Sequence, residues 1–146
     1  MKASLIKLFD LRLSKLSKEL TLYTNEKCLW QTPKGINNSG GNLCMHLIGN
    51  LNHFIGAVLG HTGYKRLRDK ELIVKNIPIK DLQKQIEATK IVVKKTIESL
   101  NMEDFKAIYP INVFGSQMST TYFLIHLTGH LNYHLGQINY HRRLVC

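Results

Sequence analysis

A long segment near the end of the chain is apolar except for one narrow polar stripe, and this segment constrains the fold more than any other. At about 100° per residue on a helix, five polar side chains of residues 125–143 share one face. They are His126, His130, His134, Gln137 and His141. Imidazoles one turn apart can direct ring nitrogens at one point, which is the geometry that a transition metal requires.

Length and composition predict one soluble domain over residues 1–146. The three cysteines, Cys28, Cys44 and Cys146, show no CxxC spacing, which favours a reducing, cytoplasmic compartment. No run approaches the roughly 20 apolar residues of a membrane span, so we expect neither secretion nor membrane insertion. The net charge of +10 raises nucleic acid or an anionic small molecule as a partner.

Four segments have helical periodicity. They predict helices over about residues 2–24, from 38–42 to about 60, over 79–100 and over 119–143. A short β-like stretch is predicted at 72–74, and residues 101–118 form a second long connector. Four helices of this length predict an all-α four-helix bundle, and the long connectors predict crossover loops.

A second polar stripe lies on the predicted second helix, where His46, Asn50 and His53 interrupt apolar positions. Side chains from facing helices meet inside a bundle, where a buried imidazole needs a partner. We therefore interpret the two stripes as a metal site with one histidine from the second helix and two from the last. Asn50 and Gln137 are candidates for supporting hydrogen bonds.

Spacing alone leaves two alternative pairs on the last helix, His126 with His130 and His130 with His134. Gly129 and Gly136 favour the second pair only weakly, because glycines that permit close helix approach serve equally well as packing notches. A further alternative is that the rings hydrogen-bond one another, backbone carbonyls or solvent along a groove.

No aspartate or glutamate lies on either stripe, so a local carboxylate base is missing. His126 or His53 is a candidate catalytic base in its place. Asp10, Glu19 or Glu26 can approach from the first helix. The absence favours activation of a nucleophile by a metal over peptide or ester hydrolysis.

Two segments resemble the DinB-like, or YfiT-like, superfamily of metal-dependent proteins. They are residues 38–56 and residues 126–143, and the second contains an HxxxHxGQ pattern from His130 to Gln137. The resemblance implies an up-down-down-up four-helix bundle, homodimerisation through the helices and a divalent metal ion, with zinc, nickel or iron as candidates. By position it implies these roles: His46, His130 and His134 as ligands, His126 as a supporting or substrate-side group, and His53 as a pocket-lining residue.

The resemblance also implies an activity. Members of the superfamily transfer low-molecular-weight thiols or isomerise thiol adducts, and others are hydrolases. A metal ion lowers the pKa of a bound thiol and presents thiolate at neutral pH. We therefore expect a metal-dependent thiol transferase, with a metal-dependent hydrolase as the alternative, acting on a small-molecule thiol or electrophile.

Two expectations concern partners. A non-enzymatic stress-response module would use the basic cluster Lys65–Lys70 to contact nucleic acid, although the chain has no obvious recognition helix. A homodimer is expected from the resemblance and from apolar connector residues predicted to be exposed: Ile108, Tyr109, Ile111 and Phe114.

Overall fold

Four long helices account for most of the chain in the computed structural model, which describes residues 1–146. The helices are α1 (Lys2–Thr21), α2 (Glu26–Leu29), α3 (Gly40–Leu51), α4 (Arg68–Ile73), α5 (Ile79–Ser99), α6 (Met102–Lys106) and α7 (Thr120–Val145). A π-helical segment, Asn52–Ala57, directly continues α3. The predicted all-α four-helix fold is therefore confirmed.

Side-chain contacts fix the direction of α1 relative to α5. Lys2 Nζ donates to the Glu98 carbonyl oxygen at 3.0 Å, and Gln83 Nε2 donates to Ser17 Oγ at 3.2 Å. The start of one helix therefore meets the end of the other, and the two helices are antiparallel.

Similar contacts orient α3. Its two ends meet α7 in reverse order, since His46 lies beside His130 and Phe54 packs edge-on against Phe123 with ring centroids 5.2 Å apart. Asn52 Nδ2 donates to Thr89 Oγ1 at 2.8 Å, and Gly56, further along the chain, lies against Val92. The continuation of α3 therefore runs parallel to α5. The four long helices consequently run up, down, down and up, as the resemblance implies.

The connectors contain short helices that periodicity did not predict. Asn25 caps α2, which lies between the first two predicted helices, and Asn101 and Asp104 form a reciprocal cap on α6. The predicted β-like stretch at 72–74 is wrong, because residues 72 and 73 belong to α4. Local β propensity is overridden there by Asn42, whose side-chain amide donates to the carbonyl oxygens of residues 71 and 74.

The connector between α6 and α7 packs against the end of the π-helical segment. Tyr109 is only 3% exposed, and its hydroxyl donates to the Phe54 carbonyl oxygen at 2.7 Å. The prediction that Tyr109 is exposed is therefore wrong, whereas Ile108, Ile111 and Phe114 are exposed. None of the helices combines the length and apolar character that crossing a membrane requires.

Large aliphatic side chains test how the core is assembled. Leu16 on α1 is fully buried, whereas Ile91 on α5 is 55% exposed. We expect Leu16→Ala to lower the free energy of unfolding by about 2–5 kcal/mol, because it removes buried methyl groups and leaves a cavity. Ile91→Ala, the matched control, should change it by less than about 0.5 kcal/mol in urea titrations. Equal losses in the two variants would contradict this packing.

Candidate metal centre

Three histidine rings converge between α3 and α7. His130 Nε2 lies 3.4 Å from His46 Nε2 and 3.1 Å from His134 Nε2. All three candidate ligand atoms lie within 4.8 Å of one another. Nitrogen ligands about 2.0–2.1 Å from a tetrahedral ion stand roughly 3.3 Å apart, so this spacing fits a metal ion. The three histidines could hold such an ion, and they are the three that the resemblance implies.

Gln137 orients one of these rings. Its side-chain oxygen lies 2.6 Å from His134 Nδ1, and its amide nitrogen donates to the Tyr133 hydroxyl at 3.2 Å. Because a neutral imidazole carries one proton, donation from Nδ1 leaves the lone pair on Nε2. The supporting hydrogen bond predicted for Gln137 is present.

A carboxylate from α4 faces the far side of His46. Glu71 Oε1 lies 3.4 Å from His46 Nδ1, and Arg66 Nη2 lies 2.8 Å from the same carboxylate oxygen and 3.2 Å from the same ring nitrogen. A carboxylate behind a ligating histidine fixes the ring and raises its basicity. Glu71 is 4% exposed and packs against Gly49, where a β-carbon would clash with its Oε2. Gly49 therefore makes room for this carboxylate.

The sequence analysis missed Glu71 and placed candidate carboxylates elsewhere. Asp10 pairs with Lys90, Glu19 pairs with Arg142, and Glu26 accepts from the Ile79 amide. These three carboxylates are held by other partners, so the expectation that one approaches the histidines from the first helix is wrong. Two signals pointed to Glu71: an acid ends the basic cluster, and a glycine follows His46 by about one helical turn.

Two buried polar atoms at the centre have no hydrogen-bond partner in the protein. They are His130 Nδ1 and Asn50 Oδ1. The hydrogen bond expected from Asn50 to a ligand histidine is therefore absent. An unsatisfied buried group typically costs about 1–3 kcal/mol, so such atoms occur where a ligand, a water molecule or a functional demand accounts for them.

Burial keeps the rings neutral. Desolvation, followed by the charges of His134 and Arg66, lowers the pKa of His46 to about 4. Desolvation and the neighbouring histidines lower the pKa of His130 to about 4, and burial lowers the pKa of His134. The Glu71 carboxylate would favour a charged His46, but Arg66 neutralises it. Neutral imidazoles at pH 7 have lone pairs free to bind zinc, nickel or iron.

The remaining histidines of the two stripes lie outside the cluster. His126 is exposed and stacks on Phe123, with ring planes 7° apart. His53 packs against Phe54 and is half-buried. His141 is buried, where its Nδ1 contacts the Tyr23 hydroxyl at 2.7 Å and its Nε2 contacts the Gln31 carbonyl oxygen at 2.8 Å. His141 is therefore a structural residue.

No other helix of the chain packs closely against Gly129 or Gly136. A β-carbon at either position would meet no atom within 4 Å. The argument from these glycines for the second histidine pair is therefore wrong, because both face open space on α7.

A hollow lies on each side of the histidine cluster. The small hollow, of about 240 Å³, is bordered by His46 and His130 and by these residues: Asn50, Phe54, Arg66, Arg68, Val113, Phe114, Phe123, His126 and Leu127. The large hollow, of about 590 Å³, is bordered by His134 and Gln137 and includes Tyr133, Tyr140 and the loop Gly35–Asn38. His126 therefore lies on the small hollow, as a substrate-side group would, whereas His53 borders neither hollow.

The lowered pKa values predict the acid sensitivity of the metal-free protein. Below pH 6.5 the unfolded chain binds protons at His46 and His130 that the folded chain does not bind. The free energy of unfolding should therefore be constant above pH 6.5 and fall from there to about pH 4, by at most about 1.4 kcal/mol per pH unit and ring. Urea titrations at several pH values measure this slope. His46→Gln should lower it by the contribution of one ring, because His130 and His134 still titrate. An unchanged slope would contradict the assignment.

Comparisons with known proteins agree with the geometry. The sequence profile of the DinB superfamily matches residues 8–138. A crystal structure of a conserved protein from Enterococcus faecalis superposes with a TM-score of 0.79 at 14% sequence identity, covering 99% of this chain and 96% of that one, and this likeness shows the fold alone. No functionally curated protein matches. Since the profile match covers most of its length, the chain belongs to the DinB superfamily.

Proposed function

We propose that this protein is a metal-dependent enzyme that transfers a low-molecular-weight thiol to a small electrophile. The observation that carries the proposal is the convergence of three neutral imidazole nitrogens, from His46, His130 and His134, at one point between two helices. Three protein nitrogens with a position left open are the donor set of catalytic zinc sites. A divalent ion bound there lowers the pKa of a thiol and supplies thiolate at neutral pH.

The chain's own residues hold the rings for this role. Gln137 lies beside Nδ1 of His134, and Glu71 and Arg66 lie beside Nδ1 of His46. Each Nε2 is therefore presented to the centre of the cluster. The two hollows fit two substrates, because one borders His46 and His130 and the other borders His134. His126, exposed beside the small hollow, is the candidate group for taking up the thiol proton.

The state of Glu71 favours thiol transfer over hydrolysis. Metal-dependent hydrolases of the HExxH type use a free glutamate to activate water. Glu71 is the carboxylate beside the cluster, and it is held by Arg66 on the face of His46 away from the other rings. A thiol activated by the ion needs no such base, which supports the transferase.

The first test of the proposal is metal content. Protein dialysed against zinc, nickel or iron salts should retain about one ion per chain by mass spectrometry, as a single three-histidine site requires. His46→Ala, His130→Ala and His134→Ala should lose that ion. The matched control, His126→Ala, removes an exposed ring of the same helix and should retain it. Unchanged metal content in all three cluster variants would overturn the assignment.

The second arm of the test is activity. The metal-loaded protein should join a low-molecular-weight thiol to a chlorodinitrobenzene with release of chloride and a proton, and His130→Ala should lower this rate at least about 100-fold. Cleavage of a nitrophenyl ester without thiol, with no conjugate formed, would identify the hydrolase instead.

The nucleic-acid alternative is less well supported, because Arg66 of the basic cluster points inward to Glu71. We infer a cytoplasmic location from the three free cysteines.

We also propose that the protein forms a homodimer through α1 and α7. Large apolar side chains stand exposed along these two helices: Leu8, Leu11, Leu22, Tyr122, Ile125, Tyr133, Tyr140 and Leu144. Gly129 and Gly136 lie exposed on α7 between them, with open space above each α-carbon. Contiguous exposed apolar patches mark association sites, and two-fold dimers are the commonest assembly.

Matched isoleucines test the dimer. Ile125 on α7 is 56% exposed and Ile91 on α5 is 55% exposed. Ile125→Glu should yield a monomer in sedimentation velocity at micromolar concentration, because it buries a charge in the interface. Ile91→Glu should remain dimeric. A monomeric parent protein, or an Ile125→Glu variant as dimeric as the control, would exclude this interface.

A further inference from the structure

Two of the three cysteines lie side by side at one end of the bundle. The Cys28 thiol, on α2, donates a hydrogen bond to the sulfur of Cys146, the residue that follows α7. Cys44 is fully buried, whereas Cys28 is half-buried and Cys146 is exposed. A small reagent can therefore reach the pair but not the third thiol.

Packing of the segment around α2 against α7 holds this pair in place. His141 on α7 contacts residues on both sides of α2, because its Nδ1 lies 2.7 Å from the Tyr23 hydroxyl and its Nε2 lies 2.8 Å from the Gln31 carbonyl oxygen. Cys28 lies between these two residues in the chain, and Cys146 follows His141 by less than two helical turns. The fold therefore brings the two sulfurs together from opposite ends of the sequence.

The surroundings of Cys146 favour its thiolate. The amides of Thr24 and Asn25 and the Thr24 hydroxyl donate hydrogen bonds to its sulfur. Burial raises the pKa of the Cys146 thiol, but the Cys28 thiol and these other donors lower it further, so the net change is downward. The hydrogen bond to Cys146 raises the pKa of Cys28. A thiolate is the nucleophile in disulfide exchange, so Cys146 is the attacking sulfur and Cys28 the resolving one.

We propose that Cys146 and Cys28 form a redox site, which a low-molecular-weight disulfide oxidises to an intramolecular disulfide bond. The Cys146 thiolate attacks one sulfur of the reagent, a mixed disulfide forms, and one thiolate leaves. Cys28 then loses its proton to solvent and its sulfur attacks that of Cys146, which releases the second thiolate. Two cysteine thiols are oxidised and one disulfide is reduced, and the protons that the cysteines give up balance those that the released thiolates take up. This site does not depend on the proposed thiol transfer.

The disulfide bond links the two walls of the large hollow. One wall is the loop Gly35–Asn38, which follows α2, and the other is the end of α7 with Tyr140, His141 and Leu144. A covalent link between α2 and the residue after α7 limits how far these two segments can separate. Oxidation therefore restrains the hollow that borders His134, and reduction releases it.

Exchange with oxidised glutathione tests the site on the full chain. Two of the three thiols should be lost, the intact mass should fall by two hydrogen atoms, and peptide mapping without reductant should link residues 28 and 146. Cys44 is the internal control and should remain a free thiol, because it is fully buried. No loss of thiols, a stable glutathione adduct without the internal link, or a disulfide between two chains would each overturn the proposal.

Single variants assign the order of attack. Cys28→Ser should stop at a glutathione adduct on Cys146, because no resolving thiol remains. Cys146→Ser should react with oxidised glutathione at least about threefold more slowly than Cys28→Ser, because the remaining thiol is the one with less thiolate character. Neither side chain belongs to the buried core, so both variants should fold. Equal rates in the two variants would overturn the assignment of Cys146 as the attacking sulfur.

Limited proteolysis tests the restraint on the large hollow. Lys34, directly before the loop Gly35–Asn38, and Lys65, in the connector before α4, are both exposed. Trypsin should cleave after Lys34 several-fold more slowly in the oxidised than in the reduced protein, because the disulfide bond suppresses local opening. Cleavage after Lys65, the matched control, should proceed at the same rate in both states. Equal cleavage after Lys34 in the two states would overturn the restraint.

Discussion

The antiparallel packing of α3 against α7 is the contact on which the rest of the structure depends. It sets the register that places His46 opposite His130 and Phe54 opposite Phe123. The same pairing of helices brings three imidazoles together at one level and leaves a hollow on either side. The other two long helices stabilise this pair, since α1 packs on α5 and α7 while the π-helical segment packs on α5.

Assembly of the histidine cluster requires an electrostatic balance as well as a packing arrangement. Burial disfavours charge on the rings, so the cluster is an array of neutral donors. Glu71 holds His46 in orientation, but a free carboxylate at this position would promote protonation of the ring. Arg66 prevents this, because it binds the carboxylate and places its own positive charge beside His46 Nδ1, so the ring is held without being charged. Gly49 contributes only by lacking a side chain, because any β-carbon there would exclude Glu71.

Most of the fold and part of the site could be predicted from the sequence, for reasons that differ by residue. Apolar spacing identifies the four long helices, because each buries one continuous face. The one-turn spacing of His130 and His134 and the polar stripe of His46 predict that imidazoles meet. Arg66 and Glu71 could not be assigned in this way, since they come from a connector whose path depends on tertiary contacts such as those of Asn42 with residues 71 and 74. The strand predicted at residues 72–74 is wrong for the same reason, because tertiary contacts and not local propensity decide the conformation there.

The π-helical segment that follows α3 links His46 of the histidine cluster to Phe54 of the small hollow. In an α-helix, a side chain four residues further along lies about 40° further around the helix axis. A π-helix has more residues per turn, so four residues rotate less and this displacement is offset. The segment begins after Asn50 and therefore returns Phe54 towards the stripe of His46. Removing one residue between 52 and 57 would restore α winding and rotate Phe54 away while leaving His46 in place. Ion binding and the shape of the small hollow can thus diverge independently within one continuous helix, through a change in its winding alone.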